Sequence, residues 1–478
     1  MSIRSPKALL NSGCLLLVIS MPLAGIVSWV QPAEAAQAPA GVAGCDQSPV
    51  MPSPPAGAKV VSRDGTSDDT SAIQSAINGL HPGDWLVFPP GTYSISKHLT
   101  VPANGVTLYG KGATIHSINQ ADGAIMIEGD NTAVYGFTLT QDSTGRQTTP
   151  WAGGISLWDG RVQGKRRIQG LVLQGNTINN TTGGIFLNKV TNFTVADNTI
   201  YRSRADGIHM TGGTMNGRVI NNSVSQNGDD MIAVVSYAGA KSSAPAEQRY
   251  QNWTTLLDGL DTNIYIAGNK VSDQFWGRGI TVVGGSNVTI DRNSISRTPI
   301  GAAIYLTREK SYMTFGDHNV LVIDNTISDV QTQQPTFKPD YITLQQTHQG
   351  AIELGAQVLD DEVGNATYRE AFSVGDIGII GNTVRASHYS GIRIGAFSAP
   401  NSIHHVIVQG NDLANVTSKN IADIQPGMDA SSLACSNNTL DGKAWASQCN
   451  PSTSAVSANF TVTGASLVCM SDGTVRAK

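Results

Sequence analysis

"IQGLVLQGNTINNTTGGIFLNKVT" (168–191) runs without a gap into "NFTVADNTIYRSRADGIHMTGGTM" (192–215), a segment of equal length and the same pattern. Each opens on alternating apolar residues, turns at an Asn (Asn176, Asn198), passes a short second apolar stretch and closes on a Gly-rich third one. Apolar residues at every second position mark strands rather than helices. The pattern returns in "NGRVINNSVSQNGDDMIAVVS", "NIYIAGNKVSDQFWGRGITVVGGS" (263–286) and "NVTIDRNSISRTPIGAAIYLT". It persists in "NVLVIDNTIS" with "QGAIELG", in "IGIIGNTVRASHYSGIRIG" and in "HHVIVQGNDL". A repeat this short cannot bury its apolar face alone, so it must stack on its neighbours. Three short strands per repeat predict an all-β chain. The expected fold is a single-stranded parallel β-helix, a solenoid of about ten coils spaced about 4.8 Å apart.

The recurring Asn176, Asn198, Asn222, Asn269, Asn293, Asn325, Asn382 and Asn411 occupy one place in the repeat. Such a column predicts an internal amide ladder at a bend that tolerates left-handed backbone. These Asn are therefore structural, and the N-x-Ser/Thr matches they create say little about glycosylation. Upstream, "DGTSDDTSAIQSAINGL" (64–80) sets Ala72, Ile73, Ala76, Ile77 and Leu80 at helical spacing, behind Asp and Thr cap candidates. A short N-terminal helix there would cover the open end of the solenoid, with Asp64, Asp68 and Asp69 as caps and turn residues.

Composition agrees. The 478 residues carry 14% charged side chains and a net charge of −5, which gives no basis for a nucleic-acid or anionic-membrane partner. Arg4 and Lys7, the apolar run Cys14 to Val30 and the small-residue pattern Ala33-Glu34-Ala35 predict a cleaved secretory signal over 1–35. "VAGC" (42–45) mimics a lipoprotein box but lies too far past the apolar run. A flexible Ala/Pro-rich leader is expected over 36–57, the β-helix over 58–440 and a C-terminal cap or tail over 441–478. The mature chain keeps Cys45, Cys435, Cys449 and Cys469, which allow two disulfides in three connectivities, with one staple near the C-terminus. The expected location is secreted or periplasmic, without membrane attachment after cleavage. Oligomeric state is not legible.

The inward apolar pairs of the third strands set a register: Ile208/Met210, Ile232/Val234, Ile280/Val282, Ile304/Leu306, Ile352/Leu354 and Ile392/Ile394. Alternation then turns Phe186, His209, Ala233, Thr281, Tyr305, Glu353 and Arg393 outward. Two residues before each pair stand Gly183, Asp206, Asp230, Arg278, Ala302, Gly350 and Ser390. Asp206, Asp230 and Arg278 fall on successive coils if 236–262 is one loop inserted in a single coil. Asp229 joins them, giving a three-carboxylate patch with Arg278 above and His209 beside. Like charges so close cannot all ionise cheaply, so at least one pKa should rise, with the proton on the partner farther from Arg278. Insertions at 159–167, 236–262, 308–318, 331–348 and 356–373 crowd one strand column and predict groove walls. Trp158, Phe275, Trp276, Tyr305, Tyr237 and Trp253 offer flat faces for sugar rings, although packing is the commoner use of each. The alternatives for the patch are a solvated coil edge or a Ca²⁺ site of hard oxygen ligands.

On these residues the chain resembles the pectin-lyase-like right-handed parallel β-helix superfamily. Within it, the motifs are closest to the polygalacturonase/rhamnogalacturonase (glycoside hydrolase family 28-like) family. "DGTSDDTSAIQSAI…FPPGTYSIS" resembles a leading segment shared by rhamnogalacturonase-like and epimerase-like members. The family's Asn-Thr-Asp corresponds to "RADGI", carrying its carboxylate onto Asp206, and its Gly-Asp-Asp stands unaltered as Gly228-Asp229-Asp230. Its Gly-His-Gly reads "GRG", with Arg278 in place of the histidine, and its Arg-Ile-Lys reads "YLT" (305–307), with Arg308 one residue off. The resemblance implies an inverting glycoside hydrolase that needs no cofactor, with Asp206, Asp229 and Asp230 dividing the acid and base roles. His209, Arg278, Tyr305, Arg308, Glu353, Arg393 and Trp276 would bind a polysaccharide, acidic or neutral. The rival is a polysaccharide lyase or uronate epimerase. There, Asp206, Asp229 and Asp230 would hold Ca²⁺, and Arg278 or His209 would abstract a proton. A non-catalytic glycan-binding protein is the third class.

Overall fold

In the computed structural model, three mostly parallel sheets of 13, 13 and 11 strands wind as a right-handed β-helix. The structure describes residues 44–62, 67–146, 152–158, 166–238, 259–357, 373–444, 449, 467–470 and 475–477. The expected signal (1–35), the leader as far as residue 43, Asp64, Trp253 and most of the loops at 159–167, 236–262 and 356–373 lie outside these residues, as does most of the tail. The 11-stranded sheet holds the third strand of each coil, so the described chain completes eleven coils, close to the ten expected.

Register follows the apolar alternation. The strand Ile168–Gln174 pairs with Val190–Ala196, Thr177–Asn179 with Thr199–Tyr201, and Gly183–Asn188 with Ile208–Thr211, all parallel. Identical faces therefore stack. Ile178, Ile200, Val224, Val271, Ile295, Ile327, Val384 and Leu413 make one continuous buried column in the second sheet. Each coil supplies its neighbour with the apolar partner it cannot supply itself.

The Asn column forms the expected ladder. Asn176, Asn198, Asn222, Asn269, Asn293, Asn325, Asn382 and Asn411 each donate through Nδ2 to Oδ1 of the next, at 2.9–3.0 Å, and Asn438 ends the series. Each Oδ1 also accepts from a backbone N–H one coil earlier, as Asn269 Oδ1 does from Asn222 at 2.9 Å. The left-handed backbone sits one residue before the ladder, at Gly175, Asp197, Asn221, Gly268, Arg292, Asp324, Gly381, Gly410 and Asn437. The bend thus aims the Asn inward, and the Asn itself needs no special φ.

The N-terminal end is closed. The helix Thr70–Asn78 buries Ile73 and Ile77 against the first coil. Its Gln74 exchanges two 2.8 Å hydrogen bonds with the backbone of Thr100, in the edge strand Leu99–Val101, and so satisfies groups that another strand would otherwise take. Asp68 caps the helix by accepting from the Thr70 N–H at 3.0 Å. Residues 44–51, placed by sequence in the leader, instead lie along the outer face of the first sheet. Arg218 donates to the carbonyls of Cys45 and Gln47 (3.1 and 3.0 Å), and Asn221 donates to Asp46 O and Ser48 Oγ (3.0 and 2.9 Å). The hairpin Leu467–Cys469/Val475–Ala477 buries Leu467 and Val475 beside Cys45, Ile220 and Tyr265. Cys45–Cys469 joins the two termini across 424 residues, and Cys435–Cys449 staples the C-terminal coil.

Replacing Asn269 by Leu removes its bonds to Asn222, Asn293 and Val219 and strands their buried polar groups. Each orphaned group costs about 1–3 kcal/mol, so the urea midpoint should fall by the equivalent of about 3 kcal/mol or more, whereas exposed Thr199→Ala should move it little.

Candidate active site

The predicted outward column is present residue for residue. Phe186 pairs with His209, His209 with Ala233, Ala233 with Thr281, Thr281 with Tyr305, Tyr305 with Glu353 and Glu353 with Arg393. The strands Ile232–Val235 and Ile280–Val283 are direct neighbours, so no further third strand comes between them. The same stacking brings Asp206, Asp230 and Arg278 onto consecutive coils: the Gly207 N–H bonds the Asp230 carbonyl at 3.0 Å, and the Met231 N–H bonds that of Arg278 at 3.1 Å. One oxygen from each of Asp206, Asp229 and Asp230 lies within 4.8 Å of the other two. Gly277, at φ +70°, lets the next coil press this close: a Cβ there would stand 2.5 Å from the Asp229 carbonyl carbon.

Each carboxylate has a different partner. Asp206 Oδ2 meets His209 Nδ1 at 3.1 Å. Asp229 forms an ion pair with Arg146. Asp230 Oδ1 accepts the Arg278 backbone N–H at 2.8 Å and lies 3.8 Å from its Nη1. The electrostatics follow. Burial pushes Asp206 up, but His209 and then Arg146 outweigh it and leave its pKa below the usual value. Burial, with the charges of Asp206 and Asp230, lifts Asp229 to about 7. Burial also raises Asp230, while Arg278 opposes the shift. Both Asp229 and Asp230 are thus raised, and Arg278 counters the shift at Asp230 more than at Asp229. Burial lowers His209, but Asp206 and then Asp261 and Asp229 reverse this, so its pKa is raised overall.

Arg278 is locked. Its Nη2 donates to Glu309 Oε1 at 2.9 Å, and its guanidinium lies 4.2 Å from the Tyr305 ring centre. Farther along, Arg393 Nε donates to both oxygens of Glu353, at 3.0 and 2.8 Å. Arg308, expected at the groove, is not there: it is 1% exposed, and its Nε donates to the Thr314 carbonyl at 3.3 Å. Trp276 is 44% exposed but lies outside the lining of the cleft. Phe275 is buried edge-on against Phe337, while Tyr237 does line the cleft. A cleft of about 280 Å³, lined by Gly153, Gly184, Phe186, Asp206, His209 and Tyr237, adjoins one of about 100 Å³ over Asp229, Asp230, Arg278 and Glu309. Sequence reasoning missed Arg146, which lies in a stretch with no repeat to fix its register. It also missed Glu309, although the wall insertion at 308–318 contains it.

The family described as "Rhamnogalacturonase A/epimerase, pectate lyase-like" matches residues 60–302. The chain belongs to this family. No curated protein matches it. Among solved structures, the catalytic unit of a thermostable GH87 α-1,3-glucanase from Streptomyces thermodiastaticus aligns with TM-score 0.56 and 18% identity, over 82% of this chain and 70% of that one. The catalytic domain of a GH87 α-1,3-glucanase in complex with nigerose aligns with TM-score 0.52 and 14% identity, over 82% and 69%. The A-module of Azotobacter vinelandii mannuronan C-5 epimerase AlgE4 aligns with TM-score 0.47 and 17% identity, over 80% and 98%. Membership in this family makes the chain a β-helix carbohydrate-active protein. The two disulfides suit an oxidising, extracytoplasmic compartment. Among the described residues no helix is long and apolar enough to cross a membrane.

Because Asp229 holds its proton more tightly folded than unfolded, its contribution to stability is present at low pH and is lost as pH rises from about 4 to about 7. Asp229→Asn should therefore melt above the wild type at pH 8 and lose that advantage near pH 4. Thermal unfolding at the two pH values checks this.

Proposed function

We propose that the protein hydrolyses glycosidic bonds of a polysaccharide laid along this groove. Asp229 is the general acid, and Asp206, assisted by Asp230, is the base that activates water. The observation that carries this reading is the split in proton affinity across three adjacent carboxylates: Asp229 is raised to about 7 while Asp206, held by His209, is lowered. Acid/base catalysis at neutral pH needs one carboxyl that keeps its proton and one that has lost it. Oxygens within 4.8 Å of each other also suit a single water held between two carboxylates, since two hydrogen bonds of about 2.8 Å span roughly that distance. The GH87 structures that share this fold are α-1,3-glucanases, enzymes of a polysaccharide. His209 positions Asp206. Arg278 fixes Asp230 through its backbone N–H, and Phe186 and Tyr237 shape the sugar path.

The second reading is a Ca²⁺-dependent lyase or epimerase, favoured by the same three oxygens, whose number and spacing fit a hard cation. Two features count against it. Each carboxylate already has a cationic or N–H partner, which leaves less charge for an ion. Arg278 would have to lose a proton to act as base. Its burial works in that direction, but Asp230 and Glu309 more than reverse it and hold its pKa above normal.

Incubated with a panel of polysaccharides, the protein should release reducing ends without the absorbance of an unsaturated uronate, and EDTA should not change the rate. Asp206→Asn and Asp229→Asn should each lower the rate by 10²-fold or more. Unsaturated products that vanish with EDTA would instead assign elimination. A bell-shaped pH–rate profile is expected, with its alkaline limb near pH 7 from Asp229 and that limb lost in Asp229→Asn.

A further inference from the structure

We propose that the groove is built for an uncharged glycan chain and rejects uronate polymers, an inference that rests on the hydrolase reading and narrows its substrate. Gripping a sugar carboxylate takes a guanidinium or ammonium whose charge no protein carboxylate already neutralises. Along the described floor every guanidinium already faces a protein carboxylate. Arg146 is paired with Asp229. Arg278 spans Asp230 and Glu309, at 3.8 and 2.9 Å, with one face against Tyr305. Arg393 holds both oxygens of Glu353 through Nε, and its Nη2 is sealed from solvent without a hydrogen-bond partner. His209 is committed to Asp206.

Net charge points the same way. Asp206, Asp229, Asp230, Glu309 and Glu353 make five carboxylates against the three guanidiniums of Arg146, Arg278 and Arg393. Among the described floor residues, then, no guanidinium charge stands without a carboxylate against it. Along this described floor each carboxylate of a polyuronate would meet like charges or ion pairs that it would have to break. Hydroxyls meet no such barrier: they donate to the paired carboxylates and accept from the paired guanidiniums without altering the charge balance. The larger part of the cleft fits a neutral ring as well, with Gly153, Gly184 and the faces of Phe186 and Tyr237 beside it.

The test is affinity electrophoresis of the full chain in gels carrying soluble neutral glycans (glucan, galactan, xylan, mannan) or polygalacturonate and alginate, with released products assayed separately. At least one neutral glycan should retard the protein at a tenfold lower concentration than either uronan. Glu309→Gln frees Arg278 and Glu353→Gln frees Arg393, so each should gain salt-sensitive retardation by polygalacturonate. The two variants back each other up should one misfold. Wild-type retardation by a uronan equal to that of every neutral glycan, no retardation by any neutral glycan, or folded variants without gain would each overturn the proposal. Neutral binding without new reducing ends would instead sink the hydrolase reading, and efficient hydrolysis of a uronan would keep that reading and sink this one.

Discussion

Everything in this molecule depends on one coil sitting in register on the next. A repeat of two dozen residues has no core of its own, and a slip by one residue would turn every inward Ile or Val to solvent. The Asn ladder forbids the slip. Its amides bond only when each Oδ1 meets both the Nδ2 and the backbone N–H of the preceding coil, as at Asn222–Asn269, where all of these groups are buried. A register so fixed carries the outward residues with it, and a column of acids becomes possible on strands that individually disfavour Asp.

That column explains why Gly228-Asp229-Asp230 carries two adjacent carboxylates at the mouth of an otherwise apolar strand. With Asp206 one coil earlier, the three acids repel one another, and the surroundings divide the strain unequally. His209 stabilises charge on Asp206 and Arg278 stabilises it on Asp230, while burial and its two acidic neighbours raise the proton affinity of Asp229 despite Arg146. A stability cost borne by the folded state is thereby turned into two groups of opposite proton habit, about one water apart.

The groove was legible in the sequence because inward Ile/Val pairs fix the parity of every third strand, and Tyr305, Glu353 and Arg393 fall where that parity places them. Arg308 was misassigned by neglect of the same rule: Ile304 and Leu306 point inward, so Arg308 shares their face and is buried. Arg146 could not be found this way, since it belongs to no repeat. The cysteine pairing was equally hidden. Cys45 meets Cys469 only because both termini return to the outer face of the first sheet, and that same return orders residues 44–51, which composition alone marks as a leader. The left-handed backbone expected at the bend is present, and the residue before each ladder Asn adopts it.

The central claim is that this carboxylate cluster adds water across a glycosidic bond. Carrying out the reaction in ¹⁸O-labelled water, with products weighed by mass spectrometry, tests it most directly. The account predicts one labelled oxygen per bond cleaved, with each pair of products heavier than its parent by one labelled water. Products without label, whose masses sum to that of the parent and which contain an unsaturated end, would contradict it and assign elimination to this groove.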